Sequence, residues 1–258
     1  MLYPISILLP LYIYPLPLAW NWLLTTIPLY PSITYTLIIN PSTGPGTLNS
    51  FPDSSYIDAI ASLNAFDNVQ LLGYVDTAYM HRAVEDVVAE VGTYNHWQTN
   101  PAKDIHMHGI FFDDCVSNWN LSTSQYMSTI ASSAHQSNLS VTFNPGVLAD
   151  PSFFSLADNI LMIEDTYDIS KALPSIDSTT SSPIPNLQPQ ILIPTNQSSK
   201  SSVIFHHFTG SASNQSMLVK EILTKGINSL YITTANYTSQ SDLWTQFLAA
   251  VFASASLS

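Results

Sequence analysis

Three carboxyl side chains directly follow apolar runs in the middle of the sequence. Asp113 and Asp114 end a run that begins at Gly109, and Glu164 ends a run that begins at Leu161. An apolar run that ends in an acid places the carboxyl group where a buried strand meets solvent. Two such groups can hydrolyse a glycosidic bond, because one protonates the leaving oxygen while the other stabilises or attacks the developing oxocarbenium centre. Partial burial would raise the pKa of the acid and leave its partner ionised.

Simpler explanations exist for the same residues. An acid just past a strand commonly caps the next helix, which accounts for one of Asp113 and Asp114 but less well for both. Glu164 alone could be a rim residue that pairs with a helix. His106 and His108 have a spacing that could hold a metal ion, but no third ligand is placed by the sequence. We therefore expect buried, hydrogen-bonded histidines and no metal site.

These acids must be positioned by the elements around them, and apolar runs alternate with amphipathic segments along the whole chain. The predicted strands are Ile7–Pro15, Thr34–Asn40, Val69–Val75, Ile105–Asp113, Leu139–Asn144, Asn159–Glu164, Val203–Phe208 and Ser229–Thr233. The predicted helices are Ser54–Phe66, His81–Trp97, Thr123–Ser137, Gln215–Thr224 and Asp242–Ala253. Eight strands with helical connections predict an α/β fold, a single (β/α)8 TIM barrel over residues 1–258. An open doubly wound sheet is the alternative, but the chain has no glycine-rich nucleotide-binding turn.

One segment interrupts this alternation. Residues 175–202 are rich in Ser, Thr and Pro and show little periodicity, which predicts a long irregular loop after the sixth strand. Loops at that position of a barrel overhang the active face, so the segment could form a lid or a binding wall. A variable surface insertion is the alternative that the composition favours.

The remaining predicted strand ends supply candidate substrate-binding residues, because the active site of a parallel barrel forms at the C-terminal ends of its strands. They are Tyr12, Tyr14, Asn40, Tyr74, Asp76, Asn144 and His206. The two Asn amides could bind sugar hydroxyls, although each precedes a Pro and Gly turn that explains it fully. The tyrosines and Trp119 could stack on sugar rings, although packing against the core or rim is commoner for aromatic side chains.

The charge balance excludes several classes of partner. The 258 residues carry 18 acidic and 6 basic side chains, with no Lys, Arg or His before His81. A nucleic-acid backbone or an anionic membrane surface would require a basic cluster, so neither is predicted as a partner. Prolines interrupt the uncharged first 52 residues too often for a membrane-spanning helix. No signal peptide is visible there, so either a leader is missing from this chain or export follows another route.

The strand ends resemble those of the spherulin-4 family, also called spherulation-specific family 4, both in their order along the chain and in their residues. The matching segments span about residues 8–167 and are Pro10-Leu-Tyr-Ile-Tyr-Pro15, Ile39-Asn-Pro-Ser-Thr-Gly-Pro-Gly46, Gly73-Tyr-Val-Asp-Thr77, Gly109-Ile-Phe-Phe-Asp-Asp114, Phe143-Asn-Pro-Gly146 and Glu164. The resemblance implies a TIM-barrel protein similar to glycoside hydrolase family 135, of a kind typically secreted by fungi. Such a protein would act as an endo-hydrolase on exopolysaccharide that contains α-1,4-linked N-acetylgalactosamine.

The resemblance also implies an acidic cluster, formed by an Asp-Glu pair ending strand four and a Glu ending strand six. Asp113 matches the first residue and Glu164 the third, while Asp114 stands where a Glu is expected. An Asp carboxylate reaches about an ångström less far, which affects a positioned acid or base.

Two functions therefore remain open. The favoured one is a monomeric polysaccharide hydrolase, secreted or in the cell wall, that uses Asp113, Asp114 and Glu164 without metal or cofactor and, by resemblance, with a retaining outcome. The alternative is a non-catalytic glycan-binding or structural protein of a cell surface or spore coat, built on the same barrel. The alternative is suggested by the Asp114 departure and by a surface poor in charge and rich in Ser.

Overall fold

The computed structural model describes residues 5–169 and 193–255, which form a closed barrel of eight parallel strands. The strands are β1 Ser6–Leu11, β2 Thr34–Ile39, β3 Val69–Asp76, β4 Gly109–Asp113, β5 Ser140–Phe143, β6 Asn159–Thr166, β7 Ser201–His206 and β8 Ser229–Ile232. Each strand pairs with the next in sequence order, and β1 pairs with β8 to close the barrel. The predicted (β/α)8 fold class is confirmed.

Six α-helices are present in the part of the chain that the structure describes. They are α1 Asn21–Thr26, α2 Ser54–Asn64, α3 Val84–His96, α4 Leu121–Gln136, α5 Ala212–Thr224 and α6 Trp244–Ala255. Side chains cap the amino ends of three of them: Asp53 caps α2, Asn120 caps α4 and Ser211 caps α5. Because Asn120 caps the helix that follows β4, neither Asp113 nor Asp114 has that role, and the capping explanation of these acids is wrong.

Both faces of the strands are buried, which is why they read as continuous apolar runs. Every residue of β1 and β8 is buried. Helix α3 approaches β3 closely at Gly73, where an added Cβ would lie 2.5 Å from the Tyr94 ring. The Tyr94 hydroxyl donates to the Ile39 carbonyl at 3.1 Å, so this helix contacts the C-terminal ends of β2 and β3. The core thereby holds these strand ends in place.

Several predicted boundaries differ from the structure. Strand β1 ends at Leu11 rather than Pro15, and β4 begins at Gly109 rather than Ile105. A short 3-10 helix that the sequence did not predict, Pro151–Ser155, lies between β5 and β6. Of the predicted loop 175–202, residues 175–192 lie outside the described residues, and the last two residues belong to β7.

No described helix is long and apolar enough to cross a membrane.

Candidate active site

The side-chain amide of Asn144 connects two carboxyl groups, that of Asp113 at the end of β4 and that of Glu164 within β6. Asn144, which directly follows β5, donates from Nδ2 to Asp113 Oδ1 at 2.7 Å and to Glu164 Oε2 at 2.6 Å. Because both oxygens bind one nitrogen, they lie no farther apart than these two hydrogen bonds laid end to end, about 5 Å. Retaining glycosidases hold their two carboxyl groups about 5 to 5.5 Å apart, and inverting ones about 6.5 to 9.5 Å. The upper limit of about 5 Å on the distance between the two oxygens agrees with the carboxyl spacing of retaining glycosidases.

The orientation of the bridging amide is set by the turn after β5. Asn144 is buried, and its Oδ1 accepts from the Gly146 N–H at 2.8 Å, which leaves both Nδ2 hydrogens for the carboxylates. The turn requires Gly146 because its φ is +66°, in the left-handed region. The Gly146 carbonyl in turn accepts from the Glu164 N–H at 3.0 Å, so the same turn also positions β6. The turn-forming role predicted for Asn144 is real, and its amide also binds both acids.

Two tyrosine hydroxyls complete the surroundings of the carboxylates. Tyr237 donates to Glu164 Oε1 at 2.5 Å, and the Tyr74 hydroxyl lies within hydrogen-bonding reach of Asp113. Burial, followed by the neighbouring carboxylate charges, raises the pKa of both hydroxyls far above the ordinary value, so both remain donors. The Tyr12 ring packs edge-on against both, with centroids at 5.6 and 5.7 Å. Each carboxyl group is thus flanked by one phenol and shares the amide.

Sequence reasoning missed Tyr237. It lies in the connection between β8 and α6, 73 residues beyond Glu164, and only barrel closure brings it beside β6 and β1. Its backbone carbonyl accepts from the Tyr12 N–H at 3.1 Å, which ties this connection to the end of β1. The available signal was an aromatic residue in the last connection after a strand, a weak one in a chain with 13 tyrosines.

The surroundings of Asp113 raise the pKa of its carboxyl group. Burial raises the pKa of Asp113 to about 6, and the Glu164 charge acts in the same direction, against the hydrogen bonds from Tyr74 and Asn144. A carboxyl group with this pKa carries a proton in a large fraction of molecules under mildly acidic conditions. It can therefore donate that proton, as a general acid must.

Asp114 faces a different partner. Its backbone has a positive φ of 49°, which turns the chain away from the β4 direction, and its carboxyl group lies within hydrogen-bonding reach of the Tyr79 hydroxyl. The Asp114 carbonyl accepts from Thr77 Oγ1 and from the Tyr79 N–H, both at 2.7 Å. The structure thus places Asp114 beside the carboxylate pair and joins it to the connection after β3. Its predicted catalytic role stays a prediction.

The other predicted site residues divide between the centre and the surrounding loops. His206 packs against the Tyr237 ring at 5.8 Å, and burial together with the neighbouring His207 lowers its pKa. Asp76, the last residue of β3, accepts through its carboxylate from the Ala78 N–H at 2.7 Å, and in the loop after β2 the Asn40 Oδ1 accepts from the Gly44 N–H at 3.0 Å.

Two predicted stacking residues are also in loops. Tyr14 packs edge-on against Tyr56, and Trp119 packs against Phe153. Both side chains are partly exposed, and neither ring packs on Tyr12, Tyr74 or His206.

Metal-ligating residues do not gather in the described part of the chain: no group of three or more His, Cys, Asp or Glu there could hold a metal ion. The prediction that His106 and His108 are buried is wrong, because both are partly exposed. His106, whose side chain is 40% exposed, pairs with Asp104 at 2.6 Å, and His108 packs against His106. Both precede β4, at the end of the barrel opposite the carboxylates.

Comparisons with known proteins identify the family of the chain and agree with the barrel fold. The model of the family described as spherulation-specific family 4 matches residues 6–251. Spherulin-4 of Physarum polycephalum is 33% identical over 165 residues, which are 63% of this chain, and the chain spans only 45% of that relative's length. Among solved structures, Sph3 of Aspergillus clavatus in complex with GalNAc is similar with a TM-score of 0.80 and 25% identity, over 97% of this chain and 98% of that one. A chitinase from Bacteroides thetaiotaomicron has a TM-score of 0.61 at 10% identity over 98% of this chain and 96% of that one, a likeness that concerns the fold alone.

Proposed function

Since the chain belongs to spherulation-specific family 4 and has a glycoside hydrolase-like fold, we propose that it hydrolyses a polysaccharide that contains N-acetylgalactosamine. We propose endo cleavage of α-1,4 linkages. The observation that carries this proposal is the amide of Asn144, which binds one oxygen of Asp113 and one of Glu164, so that these two oxygens lie within about 5 Å of each other, a distance compatible with a retaining hydrolase. The GalNAc bound to Sph3 supports the choice of sugar.

The two carboxyl groups take different roles in this proposal. Asp113, with its raised pKa, donates a proton to the glycosidic oxygen as the C–O bond breaks. Glu164 attacks the anomeric carbon from the other side, and the sugar is held as a glycosyl ester. The ionised Asp113 then takes a proton from a water molecule that attacks the same carbon. This step releases Glu164 and restores the protonated Asp113.

The neighbouring polar groups hold this pair in position. The Tyr237 hydroxyl and one Asn144 hydrogen bind the Glu164 oxygens, which stabilises the carboxylate and limits its rotation. The other Asn144 hydrogen and the Tyr74 hydroxyl do the same for Asp113 after it has lost its proton. We propose that the protein acts as a monomer, outside the cell or in its wall, where such a polysaccharide would be found.

The test is release of reducing ends from a polymer of α-1,4-linked N-acetylgalactosamine. We expect release by the wild type and a loss of about 10²- to 10⁴-fold in Asp113→Asn and Glu164→Gln, the range for removal of a general acid or its partner. Asp165→Asn is the matched control, because this carboxyl group is the next residue of β6 and is exposed. It should cleave at the wild-type rate.

Each contrary result has a distinct meaning. Wild-type activity in Glu164→Gln would show that the reaction does not use this carboxylate. A wild type that binds the polymer but releases no reducing ends would support the glycan-binding or structural protein instead of the enzyme.

A further inference from the structure

Tyr79 extends from the connection between β3 and α3 on the carboxylate side of the barrel. Its side chain is 55% exposed, and the charges of Asp113 and Glu164 both act on its hydroxyl. Tyr14 and Trp119, which are also exposed at this end, each pack on another aromatic ring. Within the ranges that the structure describes, the Tyr79 ring stacks on no other aromatic ring, and more than half of the residue's surface is open to a ligand.

The backbone that carries this ring is strained in a specific way. Ala78, Tyr79 and Met80 are three consecutive non-glycine residues in the left-handed region, with φ of 45°, 52° and 69°. Side chains with a Cβ adopt this region only at an energetic cost, and such strain persists where surrounding contacts over-determine it, often at functional sites. Relaxation of the connection would move the ring, so the strained conformation determines where Tyr79 lies.

Contacts with the end of β4 maintain this conformation. The Tyr79 N–H and Thr77 Oγ1 both bind the Asp114 carbonyl at 2.7 Å, and the Thr77 N–H binds the Asp113 carbonyl at 3.0 Å. Thr77 is fully buried. The backbone that carries the ring is therefore fixed relative to the strand that carries the proposed general acid, and a ligand that stacks on the ring would not have to order a flexible loop.

We propose that Tyr79 and Asp114 form a sugar-binding subsite beside the point of cleavage. A pyranose ring of the polysaccharide packs its C–H face on the Tyr79 ring, and one of its hydroxyl groups donates to the Asp114 carboxylate. Sugars combine an apolar face with a polar edge, so an exposed aromatic ring beside a fixed acceptor matches both. This inference rests on the proposed function, since it describes how the same polysaccharide is held.

The subsite also accounts for Asp114 without giving it a proton-transfer role. The hydrogen bonds of the Asn144 amide go to Asp113 and Glu164, and the Asp114 carboxyl group faces the Tyr79 hydroxyl instead. A carboxylate that orients a tyrosine and accepts from a sugar hydroxyl does not need the longer reach of Glu. Asp114 is then a positioning and binding residue, and the shorter side chain does not remove a member of the catalytic pair.

The experiment measures binding in a chain that cannot cleave its ligand. Soluble oligosaccharides of α-1,4-linked N-acetylgalactosamine are titrated by calorimetry into Glu164→Gln, alone and combined with Tyr79→Ala, Tyr79→Phe or Asp114→Asn. We expect Tyr79→Ala to weaken binding about tenfold, the loss of one aromatic stacking contact. Tyr79→Phe keeps the stacking face and should lose less. Asp114→Asn should fall between the two, because it retains an acceptor but not the charge.

Phe252→Ala is the matched control. Phe252 is an exposed aromatic residue of α6 that packs on Tyr30, near the opposite end of the barrel. Its removal should leave the affinity unchanged. Circular dichroism and thermal unfolding of every variant distinguish a lost contact from a misfolded chain.

The outcomes separate this inference from the proposed function. Equal affinity with and without the Tyr79 ring would overturn the subsite. If the wild type still cleaved the polymer, the hydrolase proposal would be unaffected. Binding that depends on Tyr79, in a protein whose wild type releases no reducing ends, would support the subsite and overturn the hydrolase. Absence of binding in Glu164→Gln would overturn the subsite for this class of sugar, whatever the wild type cleaves.

Discussion

Asp113 gives the fold a pH dependence that can be measured without any substrate. Burial raises its pKa from an ordinary value of 3.8 to about 6. One pKa unit corresponds to about 1.36 kcal/mol, so ionised Asp113 lowers the free energy of unfolding by about 3 kcal/mol relative to the protonated group. Below about pH 4 the carboxyl group is protonated in both the folded and the unfolded chain, and this cost is absent. As pH rises through the folded pKa near 6, the cost appears in full.

Asp113→Asn removes the titration and nearly preserves the shape of the side chain. The new carbonyl oxygen can accept from Asn144, and the Tyr74 hydroxyl can accept from the new amide. The free energy of unfolding of the variant minus that of the wild type should therefore rise by about 2 to 3 kcal/mol between about pH 4 and pH 8. Urea unfolding, followed by tryptophan fluorescence at intervals across this range, measures the difference directly.

Asp150→Asn makes the same chemical change at an exposed position and should give the opposite slope. Hydrogen bonds from Ser152 lower the pKa of Asp150, so its contribution to stability is present at higher pH and is lost as pH falls. If the difference between Asp113→Asn and the wild type were independent of pH, Asp113 would not be buried as the structure has it. The assignment of Asp113 as the proton donor would then lose its physical basis.

Four further predictions concern the rate of cleavage. With Asp113 as the proton donor, kcat/KM should fall about tenfold per unit as pH rises above about 6, and a flat profile to pH 8 would contradict the assignment. Tyr237→Phe should lower kcat about 10- to 100-fold, because it removes a hydrogen bond to the Glu164 carboxylate. It should not change the pH at which kcat/KM begins to fall, the alkaline limb of the profile. Tyr74→Phe should move the alkaline limb to higher pH, because the Tyr74 hydroxyl lowers the pKa of Asp113. Identical pH profiles for Tyr74→Phe and Tyr237→Phe would contradict the pairing of Tyr74 with Asp113 and of Tyr237 with Glu164. Asn144→Ala should lower kcat about 10²-fold and also move that limb upward, and a wild-type rate would show that the amide bridge is dispensable.

The barrel and most of its strands could be predicted from the sequence, for a simple physical reason. Strands covered on both faces need apolar side chains at nearly every position, so they appear as runs that alternate with amphipathic helices. The prediction was wrong at the start of β4, where Ile105 and Met107 are buried outside the strand and only resemble its pattern. Burial by itself does not distinguish a strand from a buried connection.

Part of the candidate site follows from the same pattern. Once strands are parallel, their C-terminal ends meet at one rim, so Asp113, Asn144 and Glu164 could be placed together from their positions in the chain. The hydrogen bonds between these residues could not be predicted, because the Asn144 amide is oriented by a left-handed turn at Gly146. Local residue types indicated a turn but not which way the amide would face.

Periodicity along the chain is enough to predict the fold and the strand ends that carry acids. The differences between those acids arise from the folded arrangement of the chain. Burial sets the pKa of Asp113, barrel closure brings Tyr237 to Glu164, and an inverted backbone pairs Asp114 with a tyrosine of the neighbouring connection. These properties depend on the distances between atoms and on their removal from water, and groups far apart in the chain acquire both only when the barrel closes.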